Sequence, residues 1–220
     1  MTELLTDART IGPLLLTLKV LAFAGTILLP AGVLLAWYLS GRPSPVRSAV
    51  DFLVAVPLVF PPIATGFILL MLLGRHGPLA SVMPVDVVFA FPGLVLASVV
   101  SGLPLLVKPV EAALRSQGRR LSEVAAVLGK TPWQTFRLVL LPAIRRPVLA
   151  GWLLALCRSM GEVGVTLMLG GNIIGRTNTL SLEIYNCVFT GELGRAMILC
   201  GIIATLSGAM LFTLKRLSAI

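Results

Sequence analysis

The sequence predicts an all-α integral membrane protein that crosses the bilayer five times, because its composition is apolar and its apolar runs are long. Of 220 residues, 57% are hydrophobic and only 12% are charged, with a mean hydropathy of +0.98. Soluble domains are about half apolar and roughly a quarter charged, so this composition indicates a lipid environment. The apolar runs are continuous, whereas β-barrel strands alternate apolar and polar residues, so we expect helical spans.

Five apolar segments are long enough to cross a hydrocarbon core of about 30 Å, which requires about 20 helical residues. They are residues 11–39, 50–73, 85–107, 147–169 and 195–214. The first segment exceeds the apolar part of a signal peptide, about 7 to 15 residues, so we expect it to be retained as a span.

Positive charge is distributed unequally between the two predicted sides of the membrane. The loops and tail at residues 40–49, 108–146 and 215–220 carry twelve Lys and Arg residues. The opposite side carries only Arg9, Arg75, Arg176 and Arg195. Because Lys and Arg are enriched in cytoplasmic loops, we predict the N-terminus outside, the C-terminus inside and a cytoplasmic loop at residues 115–142.

Proline and glycine interrupt the second and third predicted spans. These residues are Pro57, Pro61, Pro62, Gly66, Pro92, Gly93, Gly102 and Pro104. A proline removes a backbone donor and clashes with the preceding turn, so we expect kinks whose freed carbonyls meet other helices or a water-lined cavity. The pattern fits a transport pathway, and it fits equally well the ordinary abundance of Gly and Pro in transmembrane helices.

Local signals divide the cytoplasmic loop into two predicted helices. Residues 123–128 favour a short helix that ends at Gly129, since glycine readily adopts the left-handed conformation found after a helix terminus. Thr131 and Gln134 form a predicted capping box, which starts a second helix that reaches Leu141.

The first of these helices presents small side chains and one carboxylate. Ala125, Ala126 and Gly129 allow another molecule to approach the backbone closely, and Glu123 offers a carboxylate to a partner's base or to the helix N-terminus. We therefore predict that this helix docks into a groove of another protein.

The same loop shares features with two other kinds of site. Gly129, Lys130 and Thr131 copy the end of a nucleotide-binding Walker A loop, but Val124 stands where the motif requires its first glycine. A DNA-binding helix-turn-helix has a similar size, but membrane spans tether both of its ends within a few residues, which prevents entry into a major groove. We therefore expect neither a nucleotide nor a nucleic acid to bind here.

Two opposite charges lie deep in the fourth predicted span. Arg158 and Glu162 are one helical turn apart, and an unpaired charge there costs roughly 2.5–3.5 kcal/mol, so we expect them to pair or to face a watery cavity. They form either a structural ion pair or part of a substrate pathway in which Arg158 attracts an oxyanion and Glu162 prevents tight binding. Ser159 and Thr166 are candidate lining residues of that pathway. Lys19 is predicted to extend to the membrane interface.

Neither a metal centre nor a catalytic centre is predicted. The three cysteines lack a paired spacing, and the single histidine, His76, has no neighbouring ligand. An intramembrane enzyme would need a nucleophile with a base, or a metal cluster, and these residues supply neither.

The segment EVAAVLGKTPWQTFRLVLLP, residues 123–142, resembles the cytoplasmic signature of ABC importer permeases. The matching positions are Glu123, Ala125, Ala126, Gly129, Leu141 and Pro142. Val124 and Val139 replace the usual Ala and Ile. The resemblance implies that residues 123–129 form a coupling helix, which sits in a groove of an ATPase subunit.

Three further segments, residues 56–79, 89–114 and 157–185, resemble molybdate ABC transporter permease subunits. Sulfate permeases share the form of the last segment, so tungstate and sulfate or thiosulfate stay open as alternative substrates. The resemblance implies a type I ABC importer permease fold in one transmembrane domain, residues 1–220, in the bacterial inner membrane.

The same resemblance implies partners. We expect a homodimer of this chain, two cytoplasmic ATP-binding subunits and a periplasmic or lipid-anchored oxyanion-binding protein. ATP and Mg²⁺ would be used by the partner ATPase, while this chain would bind no cofactor and catalyse no reaction.

Overall fold

The computed structural model describes residues 7–79 and 86–219, and every regular element within these residues is helical. This confirms the predicted all-α class. The α-helices are α1 (Ala8–Leu39), α2 (Pro45–Val59), α3 (Pro62–Leu73), α4 (Phe91–Val127), α5 (Pro132–Thr135), α6 (Leu141–Ala143), α7 (Arg145–Met160), α8 (Gly164–Gly170), α9 (Leu180–Phe189) and α10 (Leu193–Ala219). A π-helical turn, Phe136–Leu140, joins α5 to α6.

Within the described residues, three helices are long and apolar enough to cross a membrane, or four if one sharply bent pair counts as a single span. The three lie in α1, α4 and α10, and the bent pair is Pro132–Ala143 with Arg145–Met160. The five predicted crossings and the orientation stay predictions. Position 85, where we predicted the third span to begin, lies outside the described residues.

The second predicted span is broken into α2 and α3. A residue before proline is driven to extended backbone, and Phe60, which precedes Pro61, has φ −78° and ψ 142°. Pro62 then occupies the start of α3, where its missing N–H is not needed for a helical hydrogen bond. The predicted kink is therefore a complete interruption of the helix.

The fourth predicted span is also broken, between α7 and α8, and this break was not predicted. α7 ends at Met160 and α8 begins at Gly164. The side chain of Glu162 lies between them and accepts the backbone N–H of Val165 at 2.8 Å. The carboxylate thus satisfies a donor that the start of a helix leaves without a partner.

The two breaks pack against each other. A Cβ atom on Gly164 would lie 2.8 Å from the backbone nitrogen of Ile63, and one on Gly66 would lie 2.9 Å from the Cα atom of Val165. Backbone atoms cannot move aside as a flexible side chain can, so both positions require glycine. Small residues allow α3 and α8 to cross in close backbone contact.

The largest apolar core lies between α1, α4 and the segment from Phe136 to Val148. Leu39, Leu106 and Ile144 are almost fully buried there. α10, by contrast, buries little of its apolar surface, which is what a helix facing lipid requires. The core therefore concentrates where α1 and α4 approach the loop that carries the coupling signature.

α9 is a helix that we did not predict. The backbone N–H of Leu180 donates to Thr17 Oγ1 at 2.8 Å, and Ser181 Oγ donates to the carbonyl of Met160 at 2.6 Å. These bonds fix α9 against α1 and the end of α7. The buried face of α9 also carries a carboxylate, that of Glu183.

Candidate functional site

The predicted coupling helix is the end of α4 and not a separate element. α4 is continuous over 37 residues, so the short independent helix at residues 123–128 was wrong. No proline follows Pro109 within α4, and Arg115 pairs with Glu111 one turn away at 2.7 Å. The helix therefore continues past the predicted membrane boundary as one rod.

Gly129 ends α4 as predicted. Its φ of +69° is in the left-handed region, and its N–H donates to the carbonyl of Ala126 at 3.0 Å. The N–H of Gln134 donates to Thr131 Oγ1 at 3.3 Å, and the N–H of Thr131 donates to Gln134 Oε1 at 3.0 Å. The predicted capping box is confirmed, and it fixes the direction in which the chain leaves the turn.

The end of α4 carries exposed apolar side chains. Val127 is 88% exposed and Leu128 is 71% exposed. Ala125, which we expected on the same surface, is only 3% exposed and packs inside the chain. We call Glu123, Ala126, Val127, Leu128 and Gly129, all exposed, the coupling tip. Exposed apolar residues grouped on a helix end that is predicted to lie outside the lipid are typical of a protein-binding surface.

The chain bends sharply between the coupling tip and α7. The segment Pro132–Ala143 meets α7 at 74°, and the two are separated by Ile144. Leu141 is half-buried and Pro142 is exposed in α6, immediately before this bend. The π-helical turn inside the segment was not predicted, and such turns occur frequently at functional sites.

Three aromatic rings hold the end of α1 to this segment. The Trp37 and Phe136 rings are stacked with centroids 4.5 Å apart, and the Trp133 ring lies 5.5 Å from Phe136 and 6.0 Å from Trp37. We call these three residues the aromatic cluster. Arg115 Nη2 also donates to the carbonyl of Leu39 at 3.1 Å, which satisfies a free carbonyl at the end of α1.

Arg158 and Glu162 are paired in the structure. Arg158 Nη1 lies 2.6 Å from Glu162 Oε2, although the helix ends between the two residues. The Glu162 side chain is almost completely buried, whereas that of Arg158 is 37% exposed. One carboxylate therefore binds both the guanidinium and the backbone at the start of α8.

A small polar cavity lies beside this pair. Its polar lining residues are Thr17, Ser98, Ser159, Glu162, Thr166 and Thr179. It has room for about one water molecule, which is too little for a tetrahedral oxyanion. Ser159 Oγ also donates to the carbonyl of Ser98 at 2.7 Å. In this conformation, Ser159, Glu162 and Thr166 are therefore closed off from a substrate.

A second group of charges, which sequence reasoning missed, joins three helices at one end of the bundle. Arg9 lies 3.2 Å from both Glu183 and Glu192. Arg195 pairs with Asp7 and lies 3.5 Å from Glu192. These ion pairs tie the start of α1 to α9 and to the start of α10, and we call the five residues the distal network.

Glu183 is the buried centre of the distal network, at 2% exposure. It accepts the Asn178 amide at 2.6 Å and the Asn186 amide at 3.2 Å. A carboxylate inside an apolar segment indicates such pairing, but no local sequence pattern identifies its partners. Within the described residues, no group of His, Cys, Asp and Glu is arranged to hold a metal ion.

Asp7 lies at the edge of the distal network, before α1 begins. Its side chain accepts the backbone N–H of Arg9, and this bond and the Arg195 guanidinium lower the pKa of the carboxyl below its usual 3.8, although partial burial opposes the change. Asp7 is therefore charged at neutral pH and caps α1 while binding α10.

Residues 28–217 match the family model described as binding-protein-dependent transport system inner membrane component. The chain belongs to this family. Its family identifies it as a multi-pass protein of the bacterial inner membrane and an ABC importer permease.

Curated relatives include the molybdenum transport system permease protein ModB of Azotobacter vinelandii, which is 37% identical over 90% of each chain. ModB of Escherichia coli K12 is 34% identical over 83% of this chain and 82% of its own length. The sulfate transport system permease protein CysW of Escherichia coli K12 is 31% identical over 94% of this chain and 74% of its own length.

The fold of the family is also found among solved structures. A chain of a bacterial alginate ABC transporter, in complex with alginate pentasaccharide-bound periplasmic protein, aligns with 99% of this chain and 81% of its own at a TM-score of 0.78. The identity is 19%, so this similarity supports the permease fold alone.

Proposed function

We propose that this chain is the membrane-spanning permease subunit of an ATP-driven molybdate importer. It acts as a homodimer with two cytoplasmic ATP-binding subunits and receives its substrate from a periplasmic oxyanion-binding protein. The names and identities of the ModB relatives support the substrate. The whole chain serves as one transmembrane domain, in which residues 115–142 form the cytoplasmic loop.

The observation that carries the proposal is the coupling tip. Val127 and Leu128 are exposed at the end of a long continuous helix, where the chain turns at Gly129 and restarts at a complete capping box. Such a surface fits a groove of the ATPase subunit, which buries these apolar side chains. Glu123 and Ala126 contact the groove beside them, and Ala125 supports the helix from inside.

The structure of α4 suggests how motion is transmitted. α4 is continuous over 37 residues although it contains Pro104 and Pro109, so a displacement of the coupling tip is passed along a helix about 55 Å long into its membrane-embedded half. Leu141 and Pro142 precede the bend before α7, which lets α7 take a second direction of movement. Closure of the ATPase subunits on ATP and Mg²⁺ biases an equilibrium between two conformations of the permease, one open to each side of the membrane, and the permease itself performs no covalent chemistry.

Arg158, Ser159, Glu162 and Thr166 remain the proposed substrate pathway. Their cavity is closed in this conformation, so the pathway requires α7 and α8 to separate at the break that contains Glu162. In the open state, Arg158 attracts the dianion, and the adjacent carboxylate limits its affinity so that it is released.

Purification with the ATPase subunit tests the coupling role. Gly129→Asp places a charged side chain in the coupling tip, and we expect it to abolish co-purification of the ATPase subunit and ATP-driven transport. Gly191→Asp is the matched control, since Gly191 has a φ of +77° and open space around its Cβ position, like Gly129. Equal ATPase binding by both variants would contradict the proposal.

Uptake into proteoliposomes tests the substrate. We expect labelled molybdate to accumulate when the oxyanion-binding protein and ATP are supplied, and excess sulfate to compete weakly. Sulfate transport is the second candidate, favoured by the similarity to CysW. Preferential uptake of sulfate would replace molybdate by that alternative and leave the permease role intact.

A further inference from the structure

A groove of about 660 Å³ lies beside the coupling tip. One wall is a row of α4 residues at four-residue spacing, namely Leu114, Gly118, Ser122 and Ala126. The opposite wall is the turn after α1, residues 40–43, together with Trp37. The groove is large enough for several side chains, and no described segment of this chain fills it.

We propose that this groove is a second contact surface for the ATPase subunit, which inserts a segment with an apolar side chain and a carboxylate. The inference rests on the proposed function, because it extends the interface of the coupling tip to the end of α1. Glu123 and Ala126 belong to both surfaces, so the groove continues the coupling tip without a gap.

The lining of the groove defines the chemistry of its occupant. Leu114 and Leu140 form an apolar floor, and both are almost fully buried. Arg42 and Arg115 lie on the rim. Arg115 is already paired with Glu111, whereas the exposed Arg42 guanidinium has no hydrogen bond or ion pair within the described residues. An apolar side chain next to a carboxylate complements this floor and this rim.

Both walls of the groove are fixed to the same core. The aromatic cluster stacks Trp37 on Phe136, and Arg115 binds the carbonyl of Leu39 at the end of α1. A segment that binds between the walls therefore pushes on α1 and α4 together.

The shape of the groove favours a protein over a lipid headgroup. The bond from Arg115 to Leu39 places the end of α1 level with one end of the groove. From Leu114 to Ala126 the groove extends about 18 Å further along α4, at 1.5 Å per residue. A headgroup would stay near the end of α1, and an anionic lipid lying deeper would meet the carboxylate of Glu123.

Charge reversal on the rim gives the first test. In the permease reconstituted in lipid nanodiscs, we expect Arg42→Glu to lower the affinity for the ATPase subunit by about tenfold. The loss of affinity should be larger at low salt, where charges are screened less. Arg146→Glu is the control, because Arg146 is exposed just after the bend at Ile144 but does not line the groove. Equal affinities of the two variants would overturn the inference.

Filling the groove gives a second test that does not depend on charge. Ser122→Trp should weaken ATPase binding by about tenfold or more, since the indole occupies the space of the inserted segment. Ser116→Trp is the control, because Ser116 is exposed on the same helix but does not line the groove. If Ser122→Trp binds normally while Gly129→Asp does not, the groove inference fails and the proposed function stands.

A photo-crosslinking side chain at position 42 identifies the occupant directly. In the assembled transporter we expect a crosslink to the ATPase subunit that disappears in the Ser122→Trp background. A crosslink to phospholipid, or to a second copy of this chain, would overturn the inference. Normal ATPase binding by Gly129→Asp, Arg42→Glu and Ser122→Trp would instead contradict the proposed function itself.

Discussion

The two ends of the helical bundle use charged residues in opposite ways. At the coupling end, residues 37–47 and 115–145, Arg42 and Glu123 are exposed on the surface. At the distal end, residues 7–12 and 172–195, Glu183 is buried inside the distal network. Exposed ion pairs contribute little to stability, whereas breaking a buried pair is costly. The coupling end is therefore available to a partner, and the distal end holds α1, α9 and α10 together.

This difference separates stability from coupling. A change at the distal end should lower the free energy of unfolding, because the buried groups there have only each other as partners. A change at the coupling tip should leave the fold intact and weaken binding of the ATPase subunit. Substitutions of equivalent chemistry at the two ends therefore test whether stability and coupling are separate.

Replacement of Glu183 should have the largest effect. Glu183→Ala removes the acceptor of the Asn178 and Asn186 amides and of Arg9, so we expect a loss of about 3 kcal/mol in the free energy of unfolding. Glu183→Gln keeps the shape and one acceptor oxygen, and we expect a smaller loss of about 1 kcal/mol. Thermal unfolding in detergent measures both.

Glu123→Ala is the matched control at the coupling end. Because Glu123 is exposed, its removal should change the free energy of unfolding by no more than about 0.5 kcal/mol. It should nevertheless weaken ATPase binding, which Glu183→Gln should leave unchanged. Equal losses in the free energy of unfolding for Glu123→Ala and Glu183→Ala would contradict this difference between the ends. Weaker ATPase binding by Glu183→Gln alone would contradict it as well.

A glycine substitution between the two ends should have an intermediate effect. Gly66→Ala places a Cβ 2.9 Å from the Cα of Val165 and the Cβ of Met168, so α3 and α8 must separate. We expect a loss of about 1–3 kcal/mol in the free energy of unfolding, as for other overpacked contacts. Transport should fall as well, since the broken spans lose their mutual alignment.

Gly201→Ala provides the control for this packing. A Cβ on Gly201 meets nothing within 4 Å, so the substitution should be neutral or slightly stabilising through the better helix propensity of alanine. An unchanged free energy of unfolding for Gly66→Ala would show that the packing of α3 against α8 does not depend on close backbone contact.

The local features of the coupling end could be predicted from the sequence. The left-handed Gly129 and the box formed by Thr131 and Gln134 depend on residues only three or four positions apart, so the pattern itself contains the partners. The length of α4 was mispredicted because Lys108 and Arg115 indicated a membrane boundary. Charge marks where lipid ends, but it does not end a helix.

The distal network could not be predicted in the same way. The contact between Arg9 and Glu183 joins residues 174 positions apart, and no local pattern encodes it. The pairing of Arg158 with Glu162 was predicted. The interruption of the helix was not, because the break at Glu162 lacks a proline, unlike the break at Pro61. The π-helical turn likewise left no signal, because its sequence is ordinary for an α-helix.

Asp7 should give the smallest effect and a pH signature. Asp7→Asn keeps an oxygen that can accept the N–H of Arg9 but removes the charge that binds Arg195. A carboxyl whose pKa is lowered by folding stabilises the folded state above its unfolded pKa, and this contribution disappears as the pH falls through the folded pKa. We therefore expect a slightly lower unfolding midpoint for the variant at neutral pH.

The difference between wild type and Asp7→Asn should shrink as the pH falls below about 4, because protonation gives wild-type Asp7 the same loss of charge. Unfolding midpoints of both proteins across this range measure it, and in an Arg195→Gln background the difference at neutral pH should be smaller but not zero, because the Arg9 N–H bond remains. A difference that persists well below the usual carboxyl pKa would mean that Asp7 acts through its cap on α1 rather than through α10. Glu192 would then be the carboxylate of the distal network that holds Arg195 at the start of α10.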